Sequence, residues 1–177
     1  MNTPNKITVG RIILVPVFLV LLYLDLPYWA LAVYIIACVS DLVDGRIARK
    51  YNLVTDFGKF MDPLADKCLT TAAFIYMVTD GVCSPIVLAV ILFREFAVAG
   101  VRMLAAETGT VIAAAWSGKI KTGVTMVALG ILIIATQPWF PAPQVVAVIC
   151  WVLILATTLY SGIEYFVKNI NVFKHCA

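Results

Sequence analysis

Residues 28–44 read YWALAVYIIACVSDLVD, with no charge from Tyr28 to Ser40 and then two aspartates, Asp41 and Asp44, three positions apart. The segment that contains this run, roughly 28–50, is long enough for a helix that crosses a bilayer, which needs about 20 mostly apolar residues. The pattern recurs on either side. Six such segments emerge, roughly 8–25, 28–50, 59–79, 84–106, 117–136 and 143–167. Turn and breaker residues part them: Leu26-Pro27, Asn52 to Gly58, Asp80-Gly81 with Pro85, Thr108-Gly109, and Gln137-Pro138 with Pro141 and Pro143. At the N-terminus Thr3 suits an N-cap and Pro4 the first helical position. The expected fold is all-α and membrane-integral: six transmembrane helices with a short N-terminal interfacial segment.

Composition agrees. Of 177 residues, 63% are hydrophobic and 13% charged, and the mean hydropathy is +1.00. Soluble domains average roughly 45–50% apolar and ~25% charged, and disordered chains are poorer still in apolar residues. One domain of this length, taken as residues 1–177, cannot bury so much apolar surface within itself. Lipid must cover it. A net charge of +3, without a Lys/Arg run, argues against a nucleic-acid partner. The five cysteines lack CxxC spacing and read as packing residues. Residues 12–24 could pass for a signal peptide, but Asp25-Leu26-Pro27 follows rather than a small-residue cleavage site, so an uncleaved first span is expected.

The cations orient the chain. The loops at Asp25, Asp80 and Pro138 to Pro143 hold no Lys or Arg, whereas Lys6, Arg11, Arg46, Arg49, Lys50, Lys59, Lys119, Lys121, Lys168 and Lys174 gather at the opposite ends. The positive-inside rule then puts both termini in the cytoplasm. Trp29, Trp116, Trp139 and Trp151 read as interfacial anchors, and His175 as part of a solvated tail.

Of ten acidic residues, Asp41, Asp44, Asp62 and Asp66 fall within or at the ends of apolar segments. Asp41 and Asp44 share one face of the second helix, and Asp62 and Asp66 share one face of the third. A short connection makes these helices antiparallel neighbours whose acidic faces can meet just below the cytoplasmic surface. Four uncompensated aspartates there would cost on the order of 10 kcal/mol. Protonation, arginine partners or divalent cations could relieve this, the last most directly. Hard oxygen ligands select Mg²⁺, Mn²⁺ or Ca²⁺, and four carboxylates could hold two ions, the arrangement that clamps phosphoryl transfer. The plainer reading makes these aspartates interfacial residues near helix ends. Gly45 and Ala48 add no bulk beside them, Arg49 is a fixed cation suited to phosphate, and Gly58 permits close backbone approach.

These residues spell Asp41-Leu-Val-Asp44-Gly45-Arg-Ile-Ala48-Arg49, then eight residues, then Gly58-Lys-Phe-Met-Asp62-Pro-Leu-Ala-Asp66. The string resembles the CDP-alcohol phosphotransferase signature DxxDGxxAR(x8)GxxxDxxxD, with every motif position filled. The six-span layout resembles the family over the whole chain. The strings Thr55-Asp-Phe-Gly-Lys-Phe-Met-Asp-Pro-Leu-Ala-Asp-Lys67, Pro4-Asn5-Lys-Ile-Thr8 with Arg11, and Gly118-Lys119-Ile-Lys121-Thr122 resemble its bacterial branch that uses sn-glycerol 3-phosphate as acceptor.

The resemblance implies an enzyme of the bacterial cytoplasmic membrane, its site facing the cytoplasm and its chain a homodimer. It would pass the phosphatidyl group of CDP-diacylglycerol to glycerol 3-phosphate and release CMP. By the same resemblance Asp41, Asp44 and Asp62 ligate two Mg²⁺ or Mn²⁺ ions, with Asp66 adjoining the second and serving as general base. Asn5, Thr8, Gly45, Ala48, Arg49 and Gly58 would bind the cytidine diphosphate.

For the acceptor, Arg94 and Arg102 lie two turns apart on the fourth helix, and Lys119 and Lys121 open the fifth. Together they could form a cationic pocket for a phosphate, which a neutral acceptor would not require. Lys119 and Lys121 also read as juxtamembrane anchors, and Glu95 lies too far along the helix from Arg102 to pair with it directly. Relatives that use serine, inositol phosphate or phosphatidylglycerol remain the nearest alternative. A cation transporter and a structural scaffold are the alternatives of other classes, although no internal repeat of the transporter kind is visible.

Overall fold

The computed structural model of this chain describes residues 3–50, 56–107, 115–137 and 139–170; within its helices the side chains of 3–6, 42, 47–50, 56–60, 62–63 and 106–107 lie outside the description. The described residues form six helices in order: α1 Thr3–Tyr23, α2 Pro27–Lys50, α3 Asp56–Thr79, α4 Pro85–Glu107, α5 Trp116–Ala135 and α6 Pro143–Lys168. They coincide with the six apolar segments read from the sequence, and the described residues contain no strand.

Helix ends fall where backbone chemistry requires them. α1 closes with Asp25 in the left-handed region (φ 55°), where the amide of Leu26 donates to the Leu21 carbonyl at 3.0 Å. α3 closes in the same way at Gly81 (φ 73°), with the Val82 amide on the Met77 carbonyl at 2.9 Å and that of Gly81 on Val78 at 3.2 Å. These bonds satisfy carbonyls that the helix cannot pair. Proline then opens α2, α4 and α6, its missing N–H being one that a first turn leaves unpaired in any case.

Among the described residues, three helical stretches are long and apolar enough to cross a membrane: Pro27–Arg46, Trp116–Ala135 and Pro143–Lys168. α3 and α4 are as long, but Asp62, Asp66 and Lys67 lie in α3, and Arg94, Glu95 and Arg102 in α4. These charges are among those that build the site.

Packing departs from expectation in one respect. α2 and α3 were expected to face each other directly, yet their mutual contact is small, and α1 packs extensively against both. α5 packs against α6 and α2, and α6 against α4. Phe18 and Leu22 of α1 enter the core with Tyr34 and Ala37 of α2, Leu69 and Met77 of α3, Leu129 and Leu132 of α5, and Ile154 of α6. Alanines recur at buried positions (Ala30, Ala37, Ala65, Ala73, Ala128), since among lipid-covered helices close backbone approach, not water exclusion, favours association. Large apolar side chains such as Ile13, Phe93, Val127 and Ile163 remain exposed around the bundle, which suits a hydrocarbon solvent.

Trp29, Trp116 and Trp139 are exposed, as anchors should be, and Trp139 stacks on Tyr28 at 6.2 Å between ring centroids. Trp151 is not an anchor. It is buried in mid-helix and packs on Phe74 at 5.8 Å. The described cysteines, Cys38, Cys68, Cys83 and Cys150, are free thiols. His175 lies outside the described residues.

Candidate active site

Because successive helices alternate in direction, one end of the bundle collects the first half of α1, the last turns of α2, the start of α3, the later part of α4, the start of α5 and the end of α6. Nearly all the charge of the described residues is there. Much of it falls into two groups that approach each other at Asp66.

The first group joins α1 to α2. Thr8 and Arg11 lie one turn apart on α1, and both are almost wholly buried. The Arg11 guanidinium forks: Nη1 donates to Oδ1 of Asp41 at 2.6 Å, and Nη2 donates to Oδ2 of Asp44. Asp44 is buried, whereas the Asp41 side chain keeps 31% of its exposure. One fixed cation thus holds two carboxylates that the i, i+3 spacing had already set on one face. Arginine can do this because its planar fork presents separate donors and does not lose its charge on burial.

The second group joins α3, α4 and α5 around one carboxylate. Glu95 accepts from Lys67 and Lys121 and from Arg94 Nη1 at 3.2 Å. Arg94 is anchored independently, with Nη2 on Ser161 Oγ of α6 at 2.9 Å and its Cγ only 3.0 Å from where a Cβ on Gly162 would stand. Only glycine lets the arginine lie so close to the α6 backbone. Asp66, Lys67, Glu95 and Lys121 line a cavity of about 140 Å³ with Thr70, Thr122 and the apolar side chains of Ile91 and Phe96. Asp66 is within electrostatic range of Asp41 and Arg11 in the first group and of Lys67 and Lys121 in the second. It therefore links the two.

The residues singled out from the sequence are placed as follows. Asp41, Asp44, Asp66 and Thr8 lie at this end of the bundle, and Gly45 follows Asp44 on α2. Arg94 and Lys121 reach the Glu95 group. Arg102 has its guanidinium over the Tyr165 ring, 5.5 Å from the centroid, although it stays within electrostatic range of Arg94 and Lys67. Lys119 points elsewhere: two positions from Lys121 on a helix, it lies over Trp116 at 5.2 Å. The side chains of Asn5, Ala48, Arg49, Gly58 and Asp62 lie outside the described residues. Arg11, Lys67 and Glu95 were given no site role from the sequence. Arg11 had served as a marker of the cytoplasmic face and as part of the N-terminal string of the resemblance, yet a cation so far inside an apolar helix is itself a signal of an acidic partner.

Among the described residues, no three His, Cys, Asp or Glu side chains close on one point; Asp62, the fourth aspartate of the expected cluster, is outside them. The donor chemistry fits a hard divalent cation nonetheless. The ligands on offer are carboxylate oxygens without sulfur or imidazole, and the Arg11 pairing already brings Asp41 and Asp44 together.

The CDP-alcohol phosphatidyltransferase family profile matches residues 1–160, a range that includes the whole 41–66 motif. Over 98% of its length the chain is 41% identical to the CDP-diacylglycerol–glycerol-3-phosphate 3-phosphatidyltransferase of Bacillus subtilis (strain 168), of which it covers 97%. It is 35% identical, over 96% of its length, to a probable phosphatidylglycerophosphate synthase of Mycobacterium tuberculosis (strain H37Rv), covering 82% of that protein. A CDP-diacylglycerol–glycerol-3-phosphate 3-phosphatidyltransferase of Shigella flexneri serotype 5b is 34% identical over 93% of the chain and is covered to 92%. This chain belongs to the CDP-alcohol phosphatidyltransferase family.

Proposed function

We propose that the chain is a phosphatidylglycerophosphate synthase, which transfers the phosphatidyl group of CDP-diacylglycerol to sn-glycerol 3-phosphate and releases CMP. The observation that carries this reading is the position of Asp66, between the Arg11-held aspartates and the cationic group around Glu95. The near-full-length likeness to relatives with that name supports the same acceptor.

In this reading a glycerol hydroxyl oxygen attacks the β-phosphorus of CDP-diacylglycerol. The new P–O bond forms there, the bond from that phosphorus to the bridging oxygen breaks, and CMP leaves with that oxygen. Asp66 takes the hydroxyl proton, a step for which a positioned carboxylate contributes typically 10²–10⁴-fold. Asp41, Asp44, Asp62 and Asp66 would hold Mg²⁺ or Mn²⁺, two ions, which when bound neutralise charge on the diphosphate. Arg11 keeps Asp41 and Asp44 aligned. Asn5, Thr8, Gly45, Ala48, Arg49 and Gly58 receive the cytidine diphosphate. Arg94 and Lys121 receive the acceptor phosphate, and Arg102 and Lys119 join them only by turning from the Tyr165 and Trp116 rings.

The same proposal includes one domain over residues 1–177, six membrane spans with both termini cytoplasmic, and a homodimer in the bacterial cytoplasmic membrane with its site toward the cytoplasm. The exposed apolar belt and the cation-free turns at Asp25 and Asp80 support the embedding and the orientation. Cysteine-accessibility labelling in intact cells tests the topology. A cysteine at Asp80 should react with an impermeant maleimide from outside, and labelling only after lysis would contradict it.

A further inference from the structure

Lys67 comes from α3, Arg94 from α4 and Lys121 from α5, and the three meet on a single carboxylate, Glu95, which itself is only 12% exposed. With Asp66, which lines the same cavity, the three cations and two carboxylates are formally one charge positive. Such an excess is costly where Arg94, Glu95 and Lys121 are largely buried, unless an anion completes it. Arg94 does not depend on Glu95 for its place, since Ser161 also holds it. Lys67 is half exposed and so can turn toward an incoming group. Lys121 is nearly buried, at 7%, and lines the cavity together with Asp66.

We propose that Glu95 is the positioning residue that sets acceptor selectivity: its carboxylate stands in for the acceptor's phosphate between Lys67, Arg94 and Lys121, and only an anionic acceptor displaces it. The proposal rests on the reading of this pocket as the acceptor site. A phosphomonoester dianion meets both lysines better than one carboxylate does, and it brings its hydroxyls into the cavity that Asp66 lines. A neutral alcohol offers the lysines no charge in exchange and leaves Glu95 in place. Glu95 therefore acts in two ways. It keeps three like charges assembled while the pocket is empty, and it opposes binding of any acceptor until a phosphate takes over its partners.

The test is a thermal-shift titration of the detergent-solubilised full chain with glycerol 3-phosphate, inorganic phosphate and glycerol. Wild type should be stabilised by the two phosphates and not by glycerol. Glu95→Gln removes the competing anion, so it should melt lower without ligand yet bind both phosphates about tenfold more tightly. Glu95→Asp, which shortens the reach to the lysines, should move in the same direction by less and serves if the Gln variant does not fold. Unchanged or weaker phosphate binding in these variants overturns the proposal, because a carboxylate that merely fixed the lysines would lose affinity on removal. Lys121→Ala separates the two levels. If glycerol 3-phosphate fails to stabilise wild type, or stabilises Lys121→Ala equally, the acceptor-pocket reading falls and this inference falls with it.

Discussion

Arg11 Nη1 lies 2.6 Å from Oδ1 of Asp41, a contact between residues thirty positions apart on neighbouring helices. The same guanidinium also donates to Asp44, so a single α1 side chain balances both leading aspartates of the family motif. Removing it leaves two carboxylates near a low-dielectric end of the bundle with their principal cation gone. Arg11→Leu should destabilise the protein by about 3–5 kcal/mol, the range for breaking a buried pair, and Arg11→Lys by less, since it keeps the charge and loses the fork. Denaturant unfolding in detergent measures both. Equal stability of Arg11→Leu and wild type would show that the contact holds nothing.

Gly162 is a steric prediction. A Cβ there would meet Arg94 Cγ at 3.0 Å, so Gly162→Ala or Gly162→Val should push the arginine off Glu95 and Ser161. The expected kinetic result is a higher KM for glycerol 3-phosphate with a smaller change in kcat. Gly130→Ala is the control. Its added carbon would meet Leu31 and Tyr34 at 3.7 and 3.9 Å, ordinary contact distances, so the variant should be neutral or stabilised by up to about 1 kcal/mol, alanine's advantage inside a helix.

Asp66→Asn tests the proposed proton acceptor. The amide keeps the shape and loses the basicity, so turnover should fall by about 10²–10⁴-fold while CDP-diacylglycerol binding is largely kept. Full activity in Asp66→Asn removes the base from the account.

At the opposite end, Asp80 has its carboxyl pushed above the ordinary carboxylate range by partial burial, with Asp25 adding repulsion. A raised folded-state value means that ionisation works against folding. The penalty is full at neutral pH and disappears as the pH falls below the ordinary carboxylate value. Asp80→Asn should therefore raise Tm at pH 7, and its advantage over wild type should shrink on acidification. A Tm difference that does not vary with pH contradicts this.

Much of the architecture could be read directly from the chain. Pro27, Pro85 and Pro143 open helices where breakers were expected, and the apolar segments between them became α1 to α6, because both features act through local backbone chemistry. The paired aspartates were readable for the same reason, since i, i+3 and i, i+4 spacing fixes a shared face whatever surrounds it. Arg11 was not, because its role depends on α1 lying against both α2 and α3, and nothing local to residue 11 encodes that packing. Glu95 shows the limit more sharply. Judged along its own helix it has no partner at Arg102, but Lys67 and Lys121 reach it from two other helices. Trp151 misled for a related reason, as an indole in an apolar span reads as an anchor until Phe74 is found against it.

The central claim is the acceptor, and CMP release measures it most directly. Purified chain supplied with CDP-diacylglycerol and Mg²⁺ or Mn²⁺ should release CMP when sn-glycerol 3-phosphate is added, and should stop when the metal is chelated. Release that requires serine, inositol phosphate or phosphatidylglycerol instead, with none on glycerol 3-phosphate, would contradict the account.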